Sequence, residues 1–377
     1  MRVALVHDYL TQFGGAERVL LALMKLFPHA PVFTLVHDQS ATDRMAEAAG
    51  EFDKRRLRTS FLQRIPGARA RHRYFPLLMP LAIEQFDVSQ YDIVFSATHS
   101  FGKGIITPSQ TMHISYCFTP TRYLWDDSHR YVREFSRSPL FQRLAPAALS
   151  YVRLWDYFAS QRVDTYLTLS HFVQQRISKY YGRDAAVVAP PVDVERFTPR
   201  AQDDGYYLIV SRLVPYKRID IAIEACQQLG RRLLIAGTGP EEELLRGKAG
   251  EHVEFLGFVP DDELPALYAG AKALLFPQEE DFGITPLEAA ASGKPTIAFA
   301  SGGATETVID GVTGVLFAKQ TVTALAQAIQ ASETMAFSTE KIRQHAETFS
   351  EARFLQEVEE IVHTEWLAFK RTHATRL

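Results

Sequence analysis

The chain has 377 residues, 46% hydrophobic and 23% charged, a composition that fits a soluble globular protein long enough for two ordinary domains. Its net charge of −3 gives no global reason to expect nucleic acid. Cys117 and Cys226 lie far apart without metal-ligand spacing, no apolar run is long enough to span a bilayer, and no signal peptide is visible; a cytoplasmic protein with no disulfide framework or zinc site is expected.

Arg2 to His7 is a short apolar run, read as a buried parallel strand. The spacing of Val19, Leu20, Leu23, Met24 and Phe27 is helical, so Gly14-Gly15 falls in a strand-to-helix loop. Open α/β sheets bind ligands at that end of their strands. Paired glycines let a phosphate approach backbone N–H groups, or simply form a tight turn. Gly-x-Gly-x-x-Gly is absent here, which excludes the dinucleotide fingerprint.

Lys54, Arg55, Arg56, Arg58, Arg64, Arg69, Arg71 and Arg73 form a basic stretch with interspersed Leu57, Phe61, Leu62 and Ile65. Such a stretch suits an anionic membrane surface, a phosphorylated acceptor, or a solvated helix face. Tyr91 to Phe95 reads as a strand, with His99 just past its end and the glycine-flanked Lys103 beyond. A catalytic or phosphate-contacting histidine sits in such a place, as does many a structural one. His113 to Cys117 is the next strand; Arg122 and Trp125 after it line an acceptor site or pack in the core. Leu140 to Gln161 is helical, Thr165 to Ser170 a strand and Phe172 to Tyr181 a short helix.

Val192 to Gly205 reads as a linker. A second α/β series follows: strands at 206–210, 232–236, 253–256, 273–276, 295–299 and 315–317, helices at 219–229 and 261–269. Strand and helix alternate throughout, so the expected class is α/β with parallel sheets and helices on both faces. The last helix, roughly Ala352 to Lys370, carries a stripe of Phe354, Val358, Ile361, Val362, Trp366 and Phe369 that must dock somewhere.

The densest signal is EEDFGITPLEAAASGKP, Glu279 to Pro295. Thr285 reads as a helix N-cap with Pro286 at the first helical position and Glu288 completing a capping box. Glu280 lies in the preceding loop. Arg212 and Lys217 follow the first strand of this half, where two cations suit a diphosphate, while carboxylates suit sugar or ribose hydroxyls. Two α/β halves leave a cleft between them as a default ligand site.

Gly14-Gly15, Arg212-x4-Lys217, Gly237-Thr-Gly-Pro, the Glu280-x7-Glu288 pair around Phe-Gly-Ile-Thr-Pro, and Gly302-Gly303 together resemble retaining glycosyltransferases of family four. The first half, with His-Asp-Tyr-Leu, Ser-x-x-His-Ser-Phe-Gly-Lys-Gly and Thr-Pro-Thr-Arg-Tyr-Leu-Trp-Asp, resembles the bacterial mannosyltransferase branch that builds O-antigen and exopolysaccharide units. The resemblance implies the GT-B fold, two Rossmann-like domains with parallel sheets facing across a cleft. It places the acceptor domain at 1–195, the nucleotide-sugar domain at 196–351, and a C-terminal helix, about 352–377, crossing back to the first.

By the same resemblance Arg212 and Lys217 neutralise the donor diphosphate, and Glu280 contacts the transferred hexose. Glu288 holds the ribose hydroxyls, and backbone groups of Phe282, Gly283, Ile284 and Thr285 touch sugar and phosphate. Gly14 and Gly15 pack on the diphosphate, and His99 sits near the reacting centre. Gly237 belongs to the donor site, and the loop carrying Phe258 and Val259 receives the base. The implied reaction is retaining transfer of a hexose, from GDP-mannose or alternatively a UDP-hexose, to a lipid-linked or oligosaccharide acceptor. A non-catalytic scaffold of a polysaccharide assembly complex is the reading of another class. No Asp-x-Asp occurs in the chain, so neither an essential metal nor a cofactor is expected, and peripheral contact with the inner face of an anionic membrane is. Two positions depart from relatives: Phe118 stands where His is frequent, and Arg218 where Gly is.

Overall fold

The computed structural model describes residues 1–49, 52–67, 69, 75–126, 128, 132–133 and 138–374. The chain divides into two compact units, Met1–Pro190 with Phe354–Leu377, and Pro191–Arg353.

The first unit runs β1 (Val3–Leu10), α1 (Gly15–Leu26), β2 (Val32–His37), α2 (Gln39–Ala49), β3 (Leu57–Thr59), α3 (Met79–Glu84), β4 (Ile93–Thr98), β5 (Met112–Cys117), α4 (Pro139–Gln161), β6 (Thr165–Thr168), α5 (His171–Tyr181) and β7 (Ala186–Val187). Its seven strands lie in the order β3-β2-β1-β4-β5-β6-β7, all parallel. Helices cover both faces, so β1, β4 and β5 are buried along almost their whole length. Val6, Leu35, Ile83, Val94, Leu149 and Val152 belong to one core cluster on this sheet. Burying each such side chain contributes about 1.5–3 kcal/mol. β2, α2 and β3 were not legible in the sequence, and β1 runs three residues past His7.

The second unit runs β8 (Tyr206–Val210), α6 (Ile219–Leu229), β9 (Arg232–Ala236), α7 (Glu242–Lys248), β10 (Val253–Gly257), α8 (Leu264–Gly270), β11 (Ala271–Phe276), α9 (Ile284–Ala291), β12 (Thr296–Phe299), α10 (Ala304–Thr307), β13 (Gly314–Phe317), α11 (Val322–Thr334) and α12 (Thr339–Glu347). Its six parallel strands lie in the order β10-β9-β8-β11-β12-β13. The stretch expected as a linker is tied into this unit. Val192 N–H donates to Phe349 O at 2.9 Å, and Arg343 Nη1 donates to the carbonyls of Val194, Phe197 and Ala291, each at 2.7 Å.

The last helix, α13 (Glu351–Ala374), buries Phe354, Val358 and Val362 at helical spacing. Phe354 meets Tyr116 of β5 edge-on at 5.8 Å, and Thr165 Oγ1 donates to Glu365 at 3.0 Å. Among the described residues no helix is long and apolar enough to cross a membrane.

Candidate active site

In each sheet the order reverses at one point, between β1 and β4 in the first and between β8 and β11 in the second. Loops leaving the carboxyl ends of those strands splay apart, and open α/β sheets bind ligands there. Both points are chemically loaded.

At the first, the carboxyl-terminal half of β1 carries His7 and Asp8, both fully buried. The Asp8 carboxylate accepts from Thr98 Oγ1 at 2.8 Å and from the backbone N–H groups of Gly102 at 2.6 Å, His99 at 2.7 Å and Ser100 at 3.1 Å. His99 Nδ1 lies 3.1 Å from the same carboxylate. Burial works to raise the Asp8 pKa, but the charges of His99 and His7 and the N–H donors hold it below the ordinary value. Asp8 therefore stays ionised and fixes which face His99 presents. Burial pulls the His7 pKa down, and the Glu17 carboxylate 3.7 Å away more than offsets it, so the imidazole titrates above its ordinary value.

A cavity of about 240 Å³ opens beside this cluster, lined by Tyr9, Thr11, Gln12, Glu17, His99 and Tyr123, with Pro76, Met79, Ser100 and Phe101. It offers hydroxyls, an amide, one carboxylate, the His99 imidazole and apolar walls, with no Lys or Arg among the described lining residues. Gly14 caps α1 and Gly15 begins it; Glu17 reaches back to accept from Gly14 N–H at 2.8 Å. Gly14 has an extended backbone and an added Cβ would touch nothing closer than 3.4 Å, so the fold itself does not demand glycine there. Asp8 and Glu17 were missed in the sequence; acids buried at the end of an apolar strand and in the first turn of the following helix were the available signal.

The other first-unit candidates are placed differently. Lys103 is buried, with Nζ 2.6 Å from Asp156 Oδ1. Asp156 also accepts from Thr121 Oγ1 at 2.8 Å, Trp125 Nε1 at 2.9 Å and Tyr181 OH at 2.9 Å. Trp125 is thus fastened into the fold and stacks on Tyr180 with centroids 5.0 Å apart. Arg122 is half-buried beside it. Several cations of the basic stretch also bond to the protein itself. Arg56 donates to the carbonyls of Ala30 and Phe27, Arg58 to those of Arg55 and Leu57, and Arg55 pairs with Asp53. Arg69 is exposed, and Arg71 lies outside the described residues. Phe118 is buried against the His7 and Tyr116 rings.

At the second point, Lys217 ends a 3-10 turn after β8 and its Nζ contacts the Glu280 carboxylate in the loop after β11. Both side chains are mostly buried. Arg212, in the same loop as Lys217, is exposed and makes no ion pair among the described residues. The Glu280 loop is held from behind by the chain after β12. Gly303 N–H donates to Glu280 O at 2.8 Å, and a Cβ on Gly303 would stand 2.2 Å from Phe282 Cα. Gly302-Gly303 is therefore required by packing against the loop that presents Glu280.

Residues 193–349, almost the whole second unit, match the model for "Glycosyl transferases group 1". Over that stretch the second unit is similar to group 1 glycosyl transferases. A GDP-mannose-dependent alpha-(1-6)-phosphatidylinositol monomannoside mannosyltransferase of Mycolicibacterium smegmatis is 36% identical over 198 residues, 44% of this chain and 52% of that protein. A glycogen synthase of Mycobacterium tuberculosis is 34% identical over 185 residues, 44% of this chain and 45% of its own. The chain thus spans about half the length of these curated relatives. Across both units it superposes on Anabaena HepE in complex with UDP (TM-score 0.71, 18% identity, 97% of this chain and 100% of that one). Sucrose-phosphate synthase from Thermosynechococcus elongatus superposes with TM-score 0.74 at 17% identity, covering 97% of this chain and 100% of that one. The fold is GT-B, as the sequence motifs implied.

Within the second unit the remaining residues fall into two sets. Phe258 is 64% exposed beside the half-buried Val259, and Thr285 is half-buried in the first turn of α9. Phe282 instead packs inward against Phe349, and Gly237 sits where a Cβ would collide with Ser211 O at 1.9 Å. Thr285 is not the N-cap: α9 starts at Ile284, after Gly283 at φ 95°, with no side-chain cap. The left-handed glycine turns the chain two residues earlier than a Thr-Pro start requires. Glu288 makes no capping box either; it is buried, accepting from Tyr268 OH at 2.7 Å with Arg196 Nη2 3.4 Å away. Arg218 is the one non-glycine residue at positive φ among the described residues, at 50°, a conformation that glycine adopts more readily.

Proposed function

We propose that the protein is a retaining, metal-independent hexosyltransferase that moves mannose from GDP-mannose to a lipid-linked or oligosaccharide acceptor in bacterial surface polysaccharide synthesis. The observation that carries this reading is the Lys217–Glu280 contact at the reversal point of the second unit. A mobile cation there is held by a carboxylate until a diphosphate offers it more charge.

The chemistry asks for stabilisation of a leaving phosphate more than for a strong base. Lys217 and Arg212 neutralise the charge that develops as the sugar C1–O bond breaks. Glu280, released from Lys217, accepts from a hexose hydroxyl. The acceptor oxygen bonds to C1 on the same face, its proton passing to the departing phosphate oxygen. His99, oriented by Asp8, binds at the reacting end. Among the described residues the cavity beside it is lined by hydroxyl, amide and carboxylate groups without Lys or Arg, which suits a neutral hydroxylated sugar as acceptor. GDP-mannose is favoured because the 36% identical relative is described as GDP-mannose-dependent.

Calorimetric titration with GDP, UDP, GDP-mannose and UDP-glucose in EDTA tests the reading. Tight binding of the guanosine pair alone is expected. Preference for the uridine pair replaces the donor, and binding of none removes the enzyme reading.

A further inference from the structure

The long helix α4 is apolar on both sides. Its inner face buries Ala145, Leu149, Val152 and Ala159, together with Asp156. On the opposite face Leu144, Tyr151, Leu154 and Phe158, again at helical spacing, stand between 59% and 65% exposed. Singly exposed apolar residues need no explanation, but a contiguous row of four large ones does. A second exposed apolar group lies on the helix tied to this one. Trp155 Nε1 and Arg162 Nη2 each donate to Glu84 of α3 at 2.8 Å, locking the two helices together. The start of α3 adds Leu77, Leu78 and Leu81, 50%, 37% and 61% exposed.

We infer that this α3–α4 face of the first unit docks on an anionic lipid bilayer. Charge singles out that occupant. The only carboxylate in α4 is Asp156, which is buried on Lys103, and Glu84 is taken up by Trp155 and Arg162. Among the described residues, exposed cations stand on and beside the face: Arg143 on α4 itself, and Arg64 on a turn whose Phe61 and Ile65 pack on the same cluster as Met79 and Leu149. Aromatic and leucine side chains bordered by arginines are the composition of a surface that enters the headgroup region. The position suits the cavity as well, because Pro76 and Met79 line it while Leu77, Leu78 and Leu81, interleaved with them, point outward. The attachment lies in this apolar face rather than in Arg55, Arg56 and Arg58.

Co-sedimentation of the full chain with vesicles of phosphatidylcholine, and of equimolar phosphatidylcholine and phosphatidylglycerol, tests this without nucleotide, so its outcome is separate from that of the transferase reading. The wild type is expected to sediment with the anionic vesicles, and Leu154→Glu with Phe158→Glu to lower the bound fraction about tenfold. Leu154→Gln with Phe158→Gln, which removes apolar area without adding charge, should lower it too; an unchanged thermal transition shows that either pair still folds. Wild type remaining in the supernatant overturns the inference, as does undiminished sedimentation of folded variants. A lipid-free dimer that the variants convert to monomers, with no vesicle binding, assigns the face to a second copy and overturns it as well.

Discussion

Asp8 Oδ2 lies 3.1 Å from His99 Nδ1, and the same oxygen accepts from the backbone N–H of His99 itself. One buried carboxylate therefore fixes both the ring and the loop of a residue that reaches a cavity. This is a positioning role: Asp8 acts through His99.

Asp8→Asn should lower kcat by about 10²-fold, the lower range of what a positioned acid–base group contributes, with KM for the donor little changed. An amide N–H also turns on one of the backbone donors, so stability should fall by about 2 kcal/mol. Initial rates over pH beside thermal melts separate the two effects. An unchanged pH profile in a folded variant removes the coupling to His99.

Lys217→Ala should weaken nucleoside diphosphate binding by about 10- to 100-fold, the loss of a charge-assisted hydrogen bond. Glu280→Ala should abolish transfer while diphosphate affinity stays equal or rises, because Lys217 loses its resting partner. Calorimetry on both variants checks this, and equal weakening by both assigns the pair to structure alone.

Gly303→Ala would force Cβ onto the Phe282 backbone and push the Glu280 loop outward. Loss of transfer with retention of the α6 and β8 core, read by activity and hydrogen exchange, is expected. Arg218 makes the opposite case. Arg218→Gly relieves a left-handed backbone at the expense of a half-exposed pair with Asp220, and stability should change by less than about 0.5 kcal/mol. Arg218→Val should cost about 1–3 kcal/mol, since a β-branched residue tolerates that conformation worst. Chemical denaturation of both variants decides it.

His113 supplies a pH dependence. Burial lowers its pKa from 6.5 to about 3, with Arg162 adding to the effect. Between those values the unfolded chain binds a proton that the folded chain refuses. Stability should therefore fall as pH drops through that window, at up to about 1.4 kcal/mol per pH unit. His113→Gln, which keeps a partner for Ser96, should flatten this acid limb. Denaturant midpoints from neutral to acid pH measure it.

The sequence by itself determined the α/β class and most strands of the second unit, because strands buried on both faces are short unbroken apolar runs: Tyr206–Val210 and Arg232–Ala236 were read to the residue. In the second unit's loops, Arg212, Lys217, Glu280 and Gly302-Gly303 were singled out through a family resemblance, not through any period of their own. The short edge strand β3 was not, for its Leu-Arg-Thr carries no period. Tertiary structure alone decided what the polar residues do. Asp8 and Glu17 look like ordinary acids until β4 comes alongside β1, ninety residues away in register. Trp125 and Lys103 become core only when Asp156 arrives from α4. The Thr285 cap gives way to Gly283, and Glu288 turns to Tyr268, because packing against Gly302-Gly303 sets the loop before local capping can. Local propensity is worth about 1 kcal/mol at a helix end, and contacts distant in sequence outweigh it.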